Sequence, residues 1–110
     1  MMPEKFKSLK EFYPFYLSEH QNYICRILHF IGTSLVLSLI IAAIYTQDWK
    51  LLAYVPLAGY GFAWIGHFFF EKNKPASFKQ PLYSLASDFK MYFDLLFLKI
   101  PFDPNENKKA

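Results

Sequence analysis

The sequence predicts an all-α fold: an integral membrane hairpin of two transmembrane helices, with an amphipathic interfacial helix at each end. Hydrophobic residues make up 54% of the 110 residues and charged residues only 19%, whereas soluble domains carry roughly 25% charged residues. Residues 27–45 and 51–70 contain no charged side chain. As helices they would each be roughly 28–30 Å long, close to the thickness of a bilayer core. A buried helical pair in a soluble protein is the alternative.

Residues 46–50 separate the two apolar segments and are polar enough to form a short connection. A connection this short makes the two helices antiparallel neighbours. Gly59, Ala63 and Gly66 follow one another at spacings of four and three. They therefore form a stripe of small residues along which the second segment can approach the first closely.

The distribution of basic residues predicts the orientation in the membrane. Of the 12 Lys and Arg residues, four precede the first segment, one lies in the connection and seven follow the second segment. The positive-inside rule then places both termini in the cytoplasm, in the inner membrane of a bacterium or the endoplasmic reticulum of a eukaryote. Because these residues are not gathered on one helix face, nucleic acid is not an expected partner.

The whole chain, residues 1–110, is expected to form a single membrane domain. Apolar residues recur with helical spacing over residues 84–99, but the charges there make a spanning helix unfavourable, so we expect a helix that lies in the interface or caps the hairpin. A short helix or turn is expected before Tyr16. Ser18 and Gln21 have the spacing of a capping box, which predicts a helix start just before the first apolar segment.

The three histidines are expected to gather at one end of the hairpin. His20 and His29 lie before and inside the first segment, and His67 lies near the end of the second. Antiparallel helices bring the start of one beside the end of the other. On one straight helix His20 and His29 would point in opposite directions, so we expect a break over residues 19–22 if both serve one site.

Other polar residues accompany the histidines. Arg26, His29 and Thr33 fall on one helical stripe, and ionisable groups at membrane depth usually serve a function. Glu71 lies one turn after His67 and could orient its imidazole or share a metal. Asp88 could join the site if the last helix folds back. Cys25, the single cysteine, is interpreted as a small apolar filler.

Neutral imidazoles with one or two carboxylates suit iron, zinc, copper or nickel. Open coordination positions beside such ligands are typical of oxygen-using non-haem iron, and zinc hydrolysis is the competing chemistry. The sequence contains no H-E-x-x-H motif, glycine-rich phosphate loop or G-x-S-x-G elbow. Common soluble enzyme classes therefore lack support.

Two motifs resemble those of a known family. His20, His29 and Gly32 match an H-x8-H-x2-G pattern, and a G-H-x2-F-E-x3-P-A pattern is met by Gly66, His67, Phe70, Glu71, Pro75 and Ala76. The chain resembles the family of the endoplasmic-reticulum dioxygenase that handles 2-hydroxy fatty acids in phytosphingosine breakdown. The resemblance covers about residues 16–91. This chain is shorter than the fungal members, and Cys25 stands where they tend to have asparagine.

The resemblance implies an iron(II)-dependent membrane enzyme that oxidises a 2-hydroxy fatty acid with molecular oxygen and shortens it by one carbon. His20, His29 and His67 would be the metal ligands. Glu71 and Arg26 are the candidate catalytic residues, and Arg26, Thr33 and Lys74 the candidate substrate-binding residues. The alternatives are a non-enzymatic membrane scaffold or lipid-binding protein, and a zinc-dependent lipid hydrolase that uses the same ligands.

Overall fold

The computed structural model describes residues 6–72 and 80–104, and every regular element within them is helical. Lys74, Pro75 and Ala76, which the sequence analysis singled out, lie outside the described residues. The elements in chain order are helix α1 (Leu9–Ser18), helix α2 (Tyr23–Thr46), a 3-10 turn (Trp49–Tyr54), helix α3 (Val55–Ile65), a π-helical segment (Gly66–Glu71) and helix α4 (Pro81–Leu96).

Helices α2 and α3 form the predicted hairpin. Gln47 adopts a left-handed conformation (φ 56°) and ends α2, and the Asp48 side chain then accepts the Lys50 N–H at 3.3 Å to start the 3-10 turn. The 3-10 turn, α3 and the π segment form one apolar stretch of 23 residues, Trp49–Glu71, beside the 24 residues of α2. Both stretches are long and apolar enough to cross a membrane.

Small residues allow the two arms of the hairpin to touch. A Cβ atom on Gly32 would lie 3.0 Å from the Ala58 carbonyl oxygen, and one on Gly66 would lie 2.9 Å from the Cys25 sulfur. A Cβ on Gly59 would meet Val36 at 3.3 Å. The predicted stripe of small residues is therefore in contact with α2 at Gly59 and Gly66, and Gly32 contributes from the other side.

Helices α1 and α4 pack on each other beside the hairpin. Their shared core consists of Phe12, Tyr13, Tyr16, Met91 and Leu95, all of them buried. The Tyr13 hydroxyl donates to an Asp94 carboxylate oxygen at 2.7 Å.

Helix α4 is also attached to the hairpin. Its Tyr92 ring stacks on Phe30 of α2 with centroids 4.6 Å apart, and its hydroxyl shares a hydrogen bond of 3.0 Å with that of Ser34. The amphipathic helix thus folds back onto the first arm of the hairpin.

Two details differ from the sequence-based expectations. Helix α4 occupies residues 81–96 instead of 84–99. The capping box at Ser18 is wrong. Ser18 is the last residue of α1 and its hydroxyl donates back to the Phe15 carbonyl, while Asn22 caps α2 by accepting the N–H groups of Ile24 and Cys25. An Asn side chain at this position satisfies the same free backbone donors.

The close approach at Gly66 provides a test of the packing. Gly66→Ala should destabilise the fold by about 1–3 kcal/mol, because its Cβ would collide with the sulfur and Cα of Cys25. Gly61→Ala is the matched control, since a Cβ there meets nothing within 4 Å and alanine favours the helix. Thermal unfolding in detergent, followed by circular dichroism, should show a lower midpoint only for Gly66→Ala. Equal midpoints for the two variants would contradict the packing.

Candidate metal centre

The three histidines meet in the interior, as the sequence analysis expected. His20 lies in the connection between α1 and α2, His29 in α2 and His67 in the π segment, and their exposed fractions are 1%, 6% and 1%. The predicted break over residues 19–22 is confirmed, since α1 ends at Ser18 and α2 begins at Tyr23. The break turns His20 back toward His29, which a straight helix would prevent.

The imidazole rings are close enough to share one ion. The Nε2 atoms of His20 and His29 are 3.0 Å apart. The ring centroid of His67 lies 4.4 Å from that of His20 and 5.1 Å from that of His29, and each pair of rings is nearly perpendicular. Two nitrogens bound to one metal at about 2.1 Å can be at most about 4.2 Å apart, so the His20–His29 distance fits a common ion.

The hydrogen bonds of the rings determine where their protons lie. Nδ1 of His20 is 2.6 Å from the Tyr16 carbonyl oxygen, and Nδ1 of His29 is 3.0 Å from the Cys25 carbonyl oxygen. A carbonyl oxygen only accepts, so both Nδ1 atoms must donate and carry the proton. In neutral imidazoles this leaves an unprotonated Nε2 on each ring. This backbone support at the far nitrogen is the arrangement usual for metal-binding histidines.

Two unprotonated Nε2 atoms facing each other at 3.0 Å cannot form a hydrogen bond with each other. A proton added to one of the two Nε2 atoms would allow a hydrogen bond between them. Burial and the neighbouring imidazoles hold the pKa of His20 well below its usual value, so the charged ring is disfavoured. A bound cation satisfies both lone pairs at once. The donor set therefore fits a divalent transition metal.

Cys25 is a further possible ligand that the sequence analysis did not name. One ligand atom each from His20, Cys25, His29 and His67 lies within 4.8 Å of all the others, and all four residues are buried. The earlier interpretation of Cys25 as a filler overlooked its spacing. It precedes His29 by one helical turn, so both side chains point to the same face of α2.

Hydrogen bonds between Asn22 and the π segment hold the break over residues 19–22 in place. The Glu71 carboxylate accepts the Asn22 backbone N–H, and the Asn22 side chain donates to the Phe70 carbonyl oxygen at 3.3 Å. The end of the π segment is thereby joined to the start of α2. Glu71 lies outside the group of four ligand atoms, and it contacts the backbone next to His20.

Arg26 is buried and bonded to the backbone on two sides. Its Nε donates to the His20 carbonyl oxygen at 2.7 Å, and its Nη1 donates to the Pro101 carbonyl oxygen at 2.6 Å. Only 4% of Arg26 is exposed. The guanidinium therefore links the connection that carries His20 to the segment that follows α4.

A cavity of about 370 Å³ extends from His29 along the hairpin. Its lining from α2 is His29, Thr33, Val36 and Ile40, which recur at helical spacing and cover about 16 Å of helix. The opposite wall comes from the second arm and from α4: Val55, Pro56, Gly59, Tyr60, Ala63, Leu85, Asp88 and Phe89. The size is typical of a small-molecule site.

The lining of the cavity shows which of the candidate site residues named in the sequence analysis lie beside it. His29 joins it to the metal centre, and Thr33 lines it one turn further along α2. Arg26 is not among the lining residues. Asp88 does reach this region, because α4 folds back, and the Tyr16 hydroxyl donates to one of its carboxylate oxygens.

Comparison with known proteins agrees with the resemblance noted in the sequence. No curated protein and no solved structure matches the chain. A family model described as "2-hydroxy-palmitic acid dioxygenase Mpo1-like" matches residues 6–100, which include all three histidines and every helix described above. The chain therefore belongs to the Mpo1-like family.

Proposed function

We propose that this protein is a membrane-bound, iron(II)-dependent dioxygenase that oxidises 2-hydroxy fatty acids and shortens them by one carbon. The observation that carries the proposal is the approach of the Nε2 atoms of His20 and His29 to 3.0 Å beside His67, with His29 also lining an apolar cavity. The name of the family, a 2-hydroxy-palmitic acid dioxygenase, supplies the class of substrate and the use of oxygen.

His20, His29 and His67 would hold the metal. Iron(II) bound by a few protein ligands, with positions left open, supplies the activation of molecular oxygen. The chain's own contribution is to fix the imidazoles: the Tyr16 and Cys25 carbonyl groups hold two rings by their Nδ1 atoms. Their burial keeps bulk water away from the centre.

The bilayer is the proposed environment of the hairpin. Large apolar side chains on both arms face outward, among them Ile41 (66% exposed), Leu57 (71%) and Phe69 (70%). The core helices of a soluble protein would bury such residues, whereas lipid would cover them. The excess of Lys and Arg on the two tails supports cytoplasmic termini, with the histidine end of the hairpin on that side.

The cavity would receive the acyl chain sideways from the membrane. Its walls beyond Thr33 are almost entirely apolar, which suits a hydrocarbon tail. The acid group would then remain near the histidines. A guanidinium has five N–H donors, and Arg26 uses two on protein carbonyl groups, so we propose that Arg26 or Lys74 pairs with the carboxylate.

Glu71 is proposed to act as a positioning residue. Its carboxylate holds the Asn22 N–H, and Asn22 is the cap from which α2 carries Cys25 and His29 toward the centre. Loss of this hydrogen bond would let the connection at His20 move.

Zinc remains the second candidate metal because of Cys25. Cysteine thiolates and histidine imidazoles are both ligands that Zn²⁺ binds in proteins. A zinc hydrolase on these ligands would act without oxygen, which separates the two functions experimentally.

Metal content should depend on the histidines. Protein purified without oxygen should contain about one iron per chain by elemental analysis, and His67→Ala should lose most of it, because one of three imidazole ligands is removed. Phe68→Ala is the matched control on the same π segment, since this side chain is 48% exposed. Equal metal content in both variants would contradict the assigned ligands.

Turnover should require oxygen. We expect the purified protein to convert 2-hydroxyhexadecanoic acid to a product one carbon shorter in air and to be inactive without oxygen, as measured by mass spectrometry. His29→Ala should lose at least 100-fold in rate while its circular dichroism spectrum stays helical. Activity without oxygen would indicate the zinc hydrolase. If the wild-type protein shows no turnover and His29→Ala is less stable than the wild type, the result would indicate a scaffold.

The far end of the cavity should set the length of the acyl chain. Ile40→Trp should slow turnover of sixteen-carbon substrates several-fold and favour shorter chains, because the indole fills the end of the cavity lined by Ile40. Ile41→Trp, on the exposed face of the same helix, is the control. Chain-length profiles that are identical in the two variants would mean that the substrate does not occupy the cavity.

A further inference from the structure

The cavity contains one acidic side chain that the proposed function has not used. Its polar lining consists of His29, Thr33, Tyr60 and Asp88. His29 belongs to the candidate metal centre, and Tyr60 is 46% exposed. Asp88 is a carboxylate in a wall that is otherwise apolar, with Leu85 and Phe89 beside it on α4.

The Asp88 carboxylate is held in place by Tyr16. The Tyr16 hydroxyl donates to its Oδ1, and the Tyr16 ring is buried and stacks on His20 with centroids 4.0 Å apart. Asp88 is therefore connected through a single rigid side chain to the loop that carries a metal ligand. A carboxylate has two oxygens with about four acceptor positions, so one hydrogen bond from Tyr16 does not saturate it.

The position is unfavourable for a charged group. Burial raises the pKa of Asp88 to about 6, and the hydrogen bond from Tyr16 only partly offsets this effect. Asp94, on the same helix, contrasts with it: this residue accepts from Tyr13 and pairs with Lys90 at 3.4 Å, away from the cavity. Among the described residues the ion pair with Lys90 belongs to Asp94 and not to Asp88, and an acid in an apolar cavity is a candidate for a group that serves a ligand.

We propose that Asp88 recognises the 2-hydroxyl group of the substrate by accepting its hydrogen bond. The inference rests on the proposed function, because it takes the occupant of the cavity to be a 2-hydroxy fatty acid. The acid group and its neighbouring carbon would lie at the histidine end, where His29 and Asp88 line the same cavity. A fatty acid without the hydroxyl would leave Asp88 with the hydrogen bond from Tyr16 and with its other acceptor positions unfilled.

This arrangement would make the protein selective against ordinary fatty acids. A site that offers a buried acceptor to a hydroxyl rejects the analogue without that hydroxyl strongly, because the acceptor loses its partner. A hydrogen bond to a charged group is also about twice as strong as one between neutral groups. Ordinary fatty acids are abundant in membranes, so such rejection would keep the cavity open for the rarer hydroxylated acid.

The experiment compares the binding of two acids that differ only in the hydroxyl. Dissociation constants for 2-hydroxyhexadecanoic acid and hexadecanoic acid are measured on iron-loaded protein in detergent, without oxygen so that no turnover occurs. The wild type should bind the hydroxy acid at least tenfold more tightly. Asp88→Leu should reduce this ratio at least tenfold by weakening the hydroxy acid alone, while Asp94→Asn should keep the wild-type ratio.

One further variant keeps the test decisive. Asp88→Asn preserves the shape if Asp88→Leu does not fold, and it should reduce the ratio several-fold, because a neutral amide is the weaker acceptor. An unchanged ratio in both Asp88 variants overturns the assignment of Asp88. A wild-type protein that binds neither acid instead overturns the proposed function.

Discussion

The approach of two unprotonated imidazole nitrogens to 3.0 Å is the interaction on which the rest of the structure depends. Neither His20 nor His29 can satisfy the other, and both are buried where water cannot help. Their backbone partners fix the protons on the opposite side of each ring. The centre could therefore hold a cation, and binding of that cation would contribute to the stability of the folded state.

Much of the remaining fold serves to bring these nitrogens together. The break over residues 19–22 turns His20 toward α2, and the contacts of Glu71, Asn22 and Arg26 hold that break from three directions. Gly66 allows the π segment to approach α2 at Cys25. π-helical turns occur frequently at functional sites, and this one carries His67. Helices α1 and α4 then close the cavity beside the hairpin.

The hairpin and the convergence of the histidines could be predicted from the sequence, because both follow from patterns along the chain. Two uncharged stretches with a short connection must lie antiparallel, which brings His67 beside His20 and His29. The break was predictable for a similar reason, since nine residues of straight helix would separate the first two rings. The match of the family model to residues 6–100 confirms the resemblance on which the function rests.

Other features depend on contacts that the sequence pattern does not encode. The cap of α2 was misassigned to Ser18 because a capping box fits the local sequence, whereas the helix starts at Tyr23 behind Asn22. The spacing of Cys25 and His29 was visible in the sequence, but whether the thiol lies within reach of His67 depends on the packing of the two arms. Whether Asp88 joined the site depended on the packing of α4 against α1, which the periodicity of α4 alone does not determine.

The most direct test of the central claim is X-ray absorption spectroscopy at the iron edge of protein prepared without oxygen. The account predicts one ordered iron whose scattering contains the outer-shell pattern of three imidazole rings, and Cys25→Ser would show whether a sulfur contributes to the first shell. His20→Ala should reduce the imidazole component by about one third. A spectrum without imidazole scattering, or one that is unchanged in His20→Ala, would contradict the shared metal centre.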